Sequence, residues 1–187
     1  MEATDTLMAE HRVIERVLQA LAAAAEALER GQQVRPGFFA DAAEFAAGFA
    51  DGCHHKKEEG VLFPAMSSHG MPAQGGPIAV MLADHARGRQ YVRDLRAAAA
   101  RLEAGEPGAA AEVVAQARGY VTLLGQHIAK EDRFLFPMAG KVIPAEEQPA
   151  VSQAFERVEH EETGPGVHER YLALAESLQR EAAGLQK

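Results

Sequence analysis

Residues 54–64 read HHKKEEGVLFP and residues 127–137 read HIAKEDRFLFP. The two segments align without a gap. His54 falls on His127, Lys57 on Lys130, Glu58 on Glu131 and Leu62-Phe63-Pro64 on Leu135-Phe136-Pro137, while Glu59 faces Asp132. A weaker match upstream sets AEHR from Ala9 against ADHA from Ala83, pairing His11 with His85 and, further on, Gly31 with Gly105. The offset is 73 residues for the first match and 74 for the second. The chain therefore reads as two helical hairpins in tandem, each with one His on its first helix and one His-x-x-x-Glu on its second. Such hairpins close into an antiparallel four-helix bundle about an approximate two-fold axis.

Glycine and proline punctuate the remainder into helices, and no strand-period alternation is present. The first helix is expected over about residues 6–30, with Thr4, Asp5 or Thr6 as N-cap and Gly31 as stop. A second follows Pro36-Gly37 and ends before Ser67-Ser68-His69-Gly70, a third covers 78–104, and a fourth covers 109–139. Pro144, with Glu146 and Glu147 in the first turn, is expected to open a shorter fifth helix. Gly164-Pro165-Gly166 separates it from a last segment, 167–183. The reading is all-α: an antiparallel, up-down bundle over 1–142 with one or two added C-terminal helices over 143–187. That extension would pack on the bundle or on a second subunit, leaving monomer and homodimer open.

Composition narrows the function classes. With 187 residues and 47% hydrophobic residues, the chain can bury a core, and its formal net charge of −8 argues against nucleic acid as a partner. One cysteine, Cys53, rules out an internal disulfide framework and a cysteine-based zinc finger, and within a helix it reads as inert. The N-terminus MEATDTLMAEHR carries acid where a secretory signal carries Lys or Arg, and no run approaches 18 apolar residues. A soluble, cytoplasmic protein without a membrane span is expected.

His54/Glu58 and His127/Glu131 are spaced i, i+4 and so share a helix face, which Leu62 and Leu135, eight residues after each His, mark as the buried one. Two imidazoles and two carboxylates then project into an apolar interior, where an uncompensated carboxylate costs several kcal/mol or shifts its pKa. A metal cation compensates directly. His11 and His85 complete four His and two Glu, a donor set that suits Fe, Mn or Zn.

This pattern, with Leu-Phe-Pro after each pair, resembles the hemerythrin-like HHE cation-binding domain over about residues 7–139. The resemblance implies a binuclear, oxo- or hydroxo-bridged non-haem iron centre, with Mn or Zn as possible substitutes. His11, His54, His85 and His127 would be terminal ligands, and Glu58 and Glu131 the bridging carboxylates. The family's oxygen carriers have a second His one turn after the third-helix His, and here that place is Arg89. About five ligands per iron would then leave roughly one open position on each. That favours reaction with O2, peroxide or NO over reversible O2 transport, unless the C-terminal segment adds a ligand.

Neighbouring residues have plainer readings. His55 and Glu59 sit about 100° round the helix from the ligands and are expected behind them or exposed, with the alternative that a one-residue slip makes them the ligands instead. Glu15, one turn after His11, has Arg89 as its repeat counterpart; a Glu15–Arg89 ion pair beside the site, or a carboxylate accepting from an imidazole, is expected. Tyr120, seven residues before His127, reads as core or as a pocket phenol. Glu159, His160, His168 and Glu169 read as solvated helix faces, with the alternative that one reaches the metal or caps the pocket. His69 is a loop residue.

Three functions compete: a di-iron oxidoreductase decomposing peroxide or NO; a non-enzymatic protein binding or sensing O2 or iron; and a metal-free or zinc-loaded structural bundle.

Overall fold

The computed structural model describes residues 3–35, 37–164 and 166–185. Pro36 and Pro165, expected as helix breaks, lie outside the described residues. The described residues are helical with no strand. Helix α1 is Ala3–Glu29; α2 spans 38–68; α3 is Pro77–Glu103; α4 spans 109–142; α5 is Gln148–Arg157, continued by a wide turn, Val158–Thr163; and α6 is Val167–Leu185.

Two boundaries differ from the sequence reading. Helix α1 already includes Ala3 and Thr4, ahead of the expected start at about residue 6, and both are buried. Pro144 does not open α5. It starts a turn in which the Glu147 N–H donates to the Pro144 carbonyl at 2.9 Å, and the helix proper begins at Gln148.

The duplicated Leu-Phe-Pro has a backbone consequence. Pro64 and Pro137 have no N–H for the carbonyl one turn back, and their rings crowd it. The helix widens just before each proline: Phe63 N–H reaches the Glu58 carbonyl and Phe136 N–H reaches that of Glu131, both i−5 bonds. A longer wide segment, Ala46–His55, precedes the first of these in α2.

Helix α3 packs on α4 and α2, and α1 packs on α4. The C-terminal helices cover α1 and α2. Gly48 admits this docking, since a Cβ there would lie 1.7 Å from the Tyr171 hydroxyl. That hydroxyl donates to Glu44 at 3.0 Å.

Apolar burial falls into two clusters. One holds Ile14, Phe49, Val92, Tyr120 and Leu124; the other holds Leu7, Leu62, Phe63, Ile78, Leu135 and Phe136. Along each of the four long helices, the residues between the two clusters are the histidines and acids identified from sequence.

Candidate metal centre

The structure brings His11, His54, Glu58, His85, His127 and Glu131 together between the two apolar clusters, none more than 1% exposed. A seventh residue joins them. His55, expected behind the ligands or exposed, is 4% exposed, and its ring lies on that of His85 with centroids 3.8 Å apart. The wide segment Ala46–His55 accounts for this: a turn opened beyond 3.6 residues rotates consecutive side chains by less than about 100°, so His54 and His55 both face inward.

Two donor groups share Glu58. His11, His54, Glu58 and Glu131 form one; His55, Glu58, His85 and His127 form the other, each with its ligating atoms within 4.8 Å of one another. His85 Nε2 lies 3.2 Å from His127 Nε2, and Glu131 Oε2 lies 3.2 Å from both His11 Nε2 and His127 Nε2. Glu58 reaches His85 Nε2 at 3.3 Å and His54 Nε2 at 3.6 Å. Both carboxylate oxygens of Glu58 and of Glu131, with His11 Nε2 and His54 Nε2, are buried without a hydrogen-bond partner among the described residues. Such orphaned groups are rare and each costs on the order of 1–3 kcal/mol. Donors about 2.1 Å from one ion stand about 3 Å apart at a right angle, so these separations and this donor chemistry fit bound cations.

Four of the other ring nitrogens are hydrogen-bonded to carboxylates, and the fifth, on His127, has one nearby. His11 Nδ1 donates to Asp132 at 2.7 Å, His54 Nδ1 to Glu10 at 3.0 Å, His55 Nδ1 to Asp51 at 3.3 Å and His85 Nδ1 to Glu59 at 2.7 Å. His127 Nδ1 lies 3.6 Å from Asp84. Carboxylates only accept, so they hold the proton on Nδ1 and leave the Nε2 lone pair pointing inward, the tautomer a metal ligand needs. This outer layer follows the repeat. Lys57 binds Glu10 behind His54, and Lys130 binds Asp84 behind His127, at the 73- and 74-residue offsets. Glu59 and Asp132 likewise serve the His of the opposite hairpin.

Electrostatics at the centre follow from burial. Burial, then the charge of Glu131, pushes Glu58 well above the usual carboxylate range. Burial opposes ionisation of Glu131 too, but the His11 and His127 rings, each 3.2 Å away, outweigh it and hold that carboxyl well below its usual value. Without a cation the pair thus carries one charge rather than two. Burial also lowers His54 to about 4 and holds His55 well below its usual value, keeping both imidazoles neutral.

The neighbouring expectations need correction. Glu15 and Arg89 do not pair. Glu15 meets Arg12 one turn back at 3.2 Å, whereas Arg89 faces α2 and donates to Asp51 at 2.8 Å and Glu59 at 2.6 Å. His160 is exposed, away from the centre. Glu159 and His168 stop one shell short of it, with Glu159 accepting from Lys57 at 3.0 Å and lying 3.2 Å from His168 Nδ1. The route Glu159–Lys57–Glu10–His54 is how the C-terminal extension touches the centre. Tyr120 is buried and lines a cavity against His55. His69 meets Glu147 at 3.0 Å near the surface.

Residues 2–139 match the family described as the hemerythrin HHE cation binding domain. The chain belongs to that family. Among curated proteins it is similar to an uncharacterised protein of Mycobacterium bovis and to two of Mycobacterium tuberculosis, each 26% identical over 162 residues. The match covers 87% of this chain and 63% of each relative, so the chain spans less than two thirds of their length. No solved structure matches it. The family binds metal cations, and the His/Glu clusters of this HHE protein are able to hold them. No helix among the described residues is long and apolar enough to cross a membrane.

Proposed function

We propose that this HHE protein is a non-haem di-iron protein that binds a small oxygen or nitrogen species, O2, peroxide or NO, between four antiparallel long helices. The observation that carries the reading is the pair of buried, unpartnered carboxylates, Glu58 and Glu131, set between two groups of imidazoles. His55, His85 and His127 would hold one iron and His11 and His54 the other, with Glu58 and Glu131 shared. Bound iron would supply electrons and an acceptor position for the small ligand.

The chain's own residues do the rest. Four carboxylates behind the rings fix tautomer and orientation, Asp84 stands 3.6 Å behind His127, and Lys57 and Lys130 anchor Glu10 and Asp84. The two apolar clusters keep bulk water from the donors. Because the imidazoles divide three and two, the ends of the centre differ, and the His11/His54 end would hold its iron with one imidazole fewer. With His55 as a ligand the two irons would not be equally open, which weakens the support for reaction over reversible binding.

That same three-and-two division favours a second reading, reversible O2 binding without turnover. Metal analysis of protein grown in iron-replete medium should give two irons per chain, and no iron would end the di-iron reading. Stopped-flow absorbance with excess peroxide separates the two functions: consumption over many equivalents marks an enzyme, a single stoichiometric change marks a binding protein.

A further inference from the structure

The seam between α2 and α3 holds a cavity of about 510 Å³ that the metal reading does not use. Its walls carry little side chain, with Ala46 and Ala47 on α2 and Gly88 and Ala97 on α3. A Cβ at Gly88 would meet only Tyr120 Cε2 at 3.8 Å, an ordinary contact. Packing therefore does not require glycine there, although glycine inside a helix costs about 1 kcal/mol against alanine. What the missing methyl leaves is space in the cavity.

The inner end is closed by His55 and Tyr120. Tyr120 is 4% exposed, and its hydroxyl makes no hydrogen bond with any described residue. Unlike the orphaned donors of the metal centre its oxygen is not sealed off, so it opens onto the cavity and is free to donate to a ligand atom. Asp51, the acid lining this end, is already engaged by Arg89 and His55. The inner end thus suits a neutral oxygen rather than an anion. Five residues along α3, about 7.5 Å by helical rise, Arg93 stands at the outer wall. It donates to the neutral Gln90 at 2.6 Å and has no carboxylate partner among the described residues, whereas Arg96 beyond it is paired with Glu44 at 2.8 Å. In a chain of net charge −8, that is an unmatched cation beside an apolar trough.

We propose that this cavity binds an amphipathic monocarboxylate with a neutral oxygen at its far end. The carboxylate rests on Arg93, the hydrocarbon lies over the small side chains, and the far oxygen accepts a hydrogen bond from Tyr120. The site touches the candidate metal donors only at His55 and stands whether or not the di-iron reading holds.

Calorimetry on the full chain, metal-loaded and metal-stripped, with 8-hydroxyoctanoate and octanoate as probes, tests it. The parent protein should bind one 8-hydroxyoctanoate, about fivefold tighter than octanoate, the worth of one hydrogen bond. Tyr120→Phe should erase that preference while leaving octanoate binding intact. Arg93→Glu should weaken both acids at least about tenfold, and Ala97→Phe, at an exposed position, should abolish both. Absence of binding to the parent overturns the proposal, as does a preference that survives Tyr120→Phe or an affinity unchanged by Arg93→Glu.

Discussion

The His55 imidazole lies almost flat on that of His85, with ring centroids 3.8 Å apart and planes 14° apart. The position in α4 that corresponds to His55 in the repeat is Ile128, which sits in the apolar core instead. This one residue makes the two halves of the centre unlike. His55→Leu should therefore release one metal in preference to the other, raising the dissociation constant of the weaker site about 10–100-fold or more. Metal titration followed by dialysis reads the stoichiometry; two equally retained metals would remove His55 from the donor set.

Glu58 is where metal binding and folding oppose each other. In metal-free protein its buried carboxyl is a cost; in loaded protein it is a ligand. Glu58→Gln should raise the melting temperature of the metal-stripped form, by about 2–4 °C for each kcal/mol relieved in a chain of this size. The same substitution should lower the melting temperature of the loaded form and cost most of its metal. Scanning calorimetry on both forms checks the sign change, and a shift in the same direction for both would contradict it.

Lys57 is fully buried and neutralises Glu10, which holds His54. Lys57→Met leaves the Glu10 charge without its cation and should destabilise the fold by about 3–5 kcal/mol. Glu159→Gln removes only the outer, partly exposed partner of the same lysine and should cost under about 1 kcal/mol. Urea unfolding of the two variants orders them, and equal effects would break the proposed route from the extension to His54.

Acid should strip the metal, since protons compete for the same imidazole Nε2 and carboxylate atoms. Metal retained per chain after dialysis should fall steadily as pH is lowered below about 6 and recover on return to neutral pH with added iron. Flat retention down to pH 4 would argue against histidine ligation.

Cys53 titrates on the alkaline side. Burial raises its thiol to about 11, against about 8.5 in an unfolded chain. Between those values the unfolded state has lost the proton that the folded state keeps, so stability falls as pH rises from about 8.5 toward 11, by about 1–2 kcal/mol at pH 10. Cys53→Ala should flatten that decline. Urea unfolding at pH 8 and pH 10 provides the comparison.

The duplicated segment made four inward-facing residues legible, because an i, i+4 spacing beside a buried Leu-Phe-Pro leaves little freedom about which face is inside, and the weaker upstream match added His11 and His85. His55 was legible only as the alternative of a one-residue slip. Placing it behind the ligands assumed regular α-helix, and the wide turn that swings it inward has no simple signature in Ala46–His55. The Glu15–Arg89 expectation failed for a related reason: the repeat says that two positions correspond, not that they meet, and Asp51 and Glu59 stand nearer to Arg89. The carboxylates behind the rings did have a signal. Glu10 and Asp84 align, as do Glu59 and Asp132, and Lys57 and Lys130. An acid preserved next to a ligand in both halves of an internal repeat is a candidate for its hydrogen-bond partner.

The layer of histidines and acids cuts the interior into two oily compartments that share little direct contact across it. Cooperativity between those compartments has to pass through the ionic seam. A cation there works as a keystone: with it, the two ends of the molecule melt together; without it, each end is free to open at its own temperature.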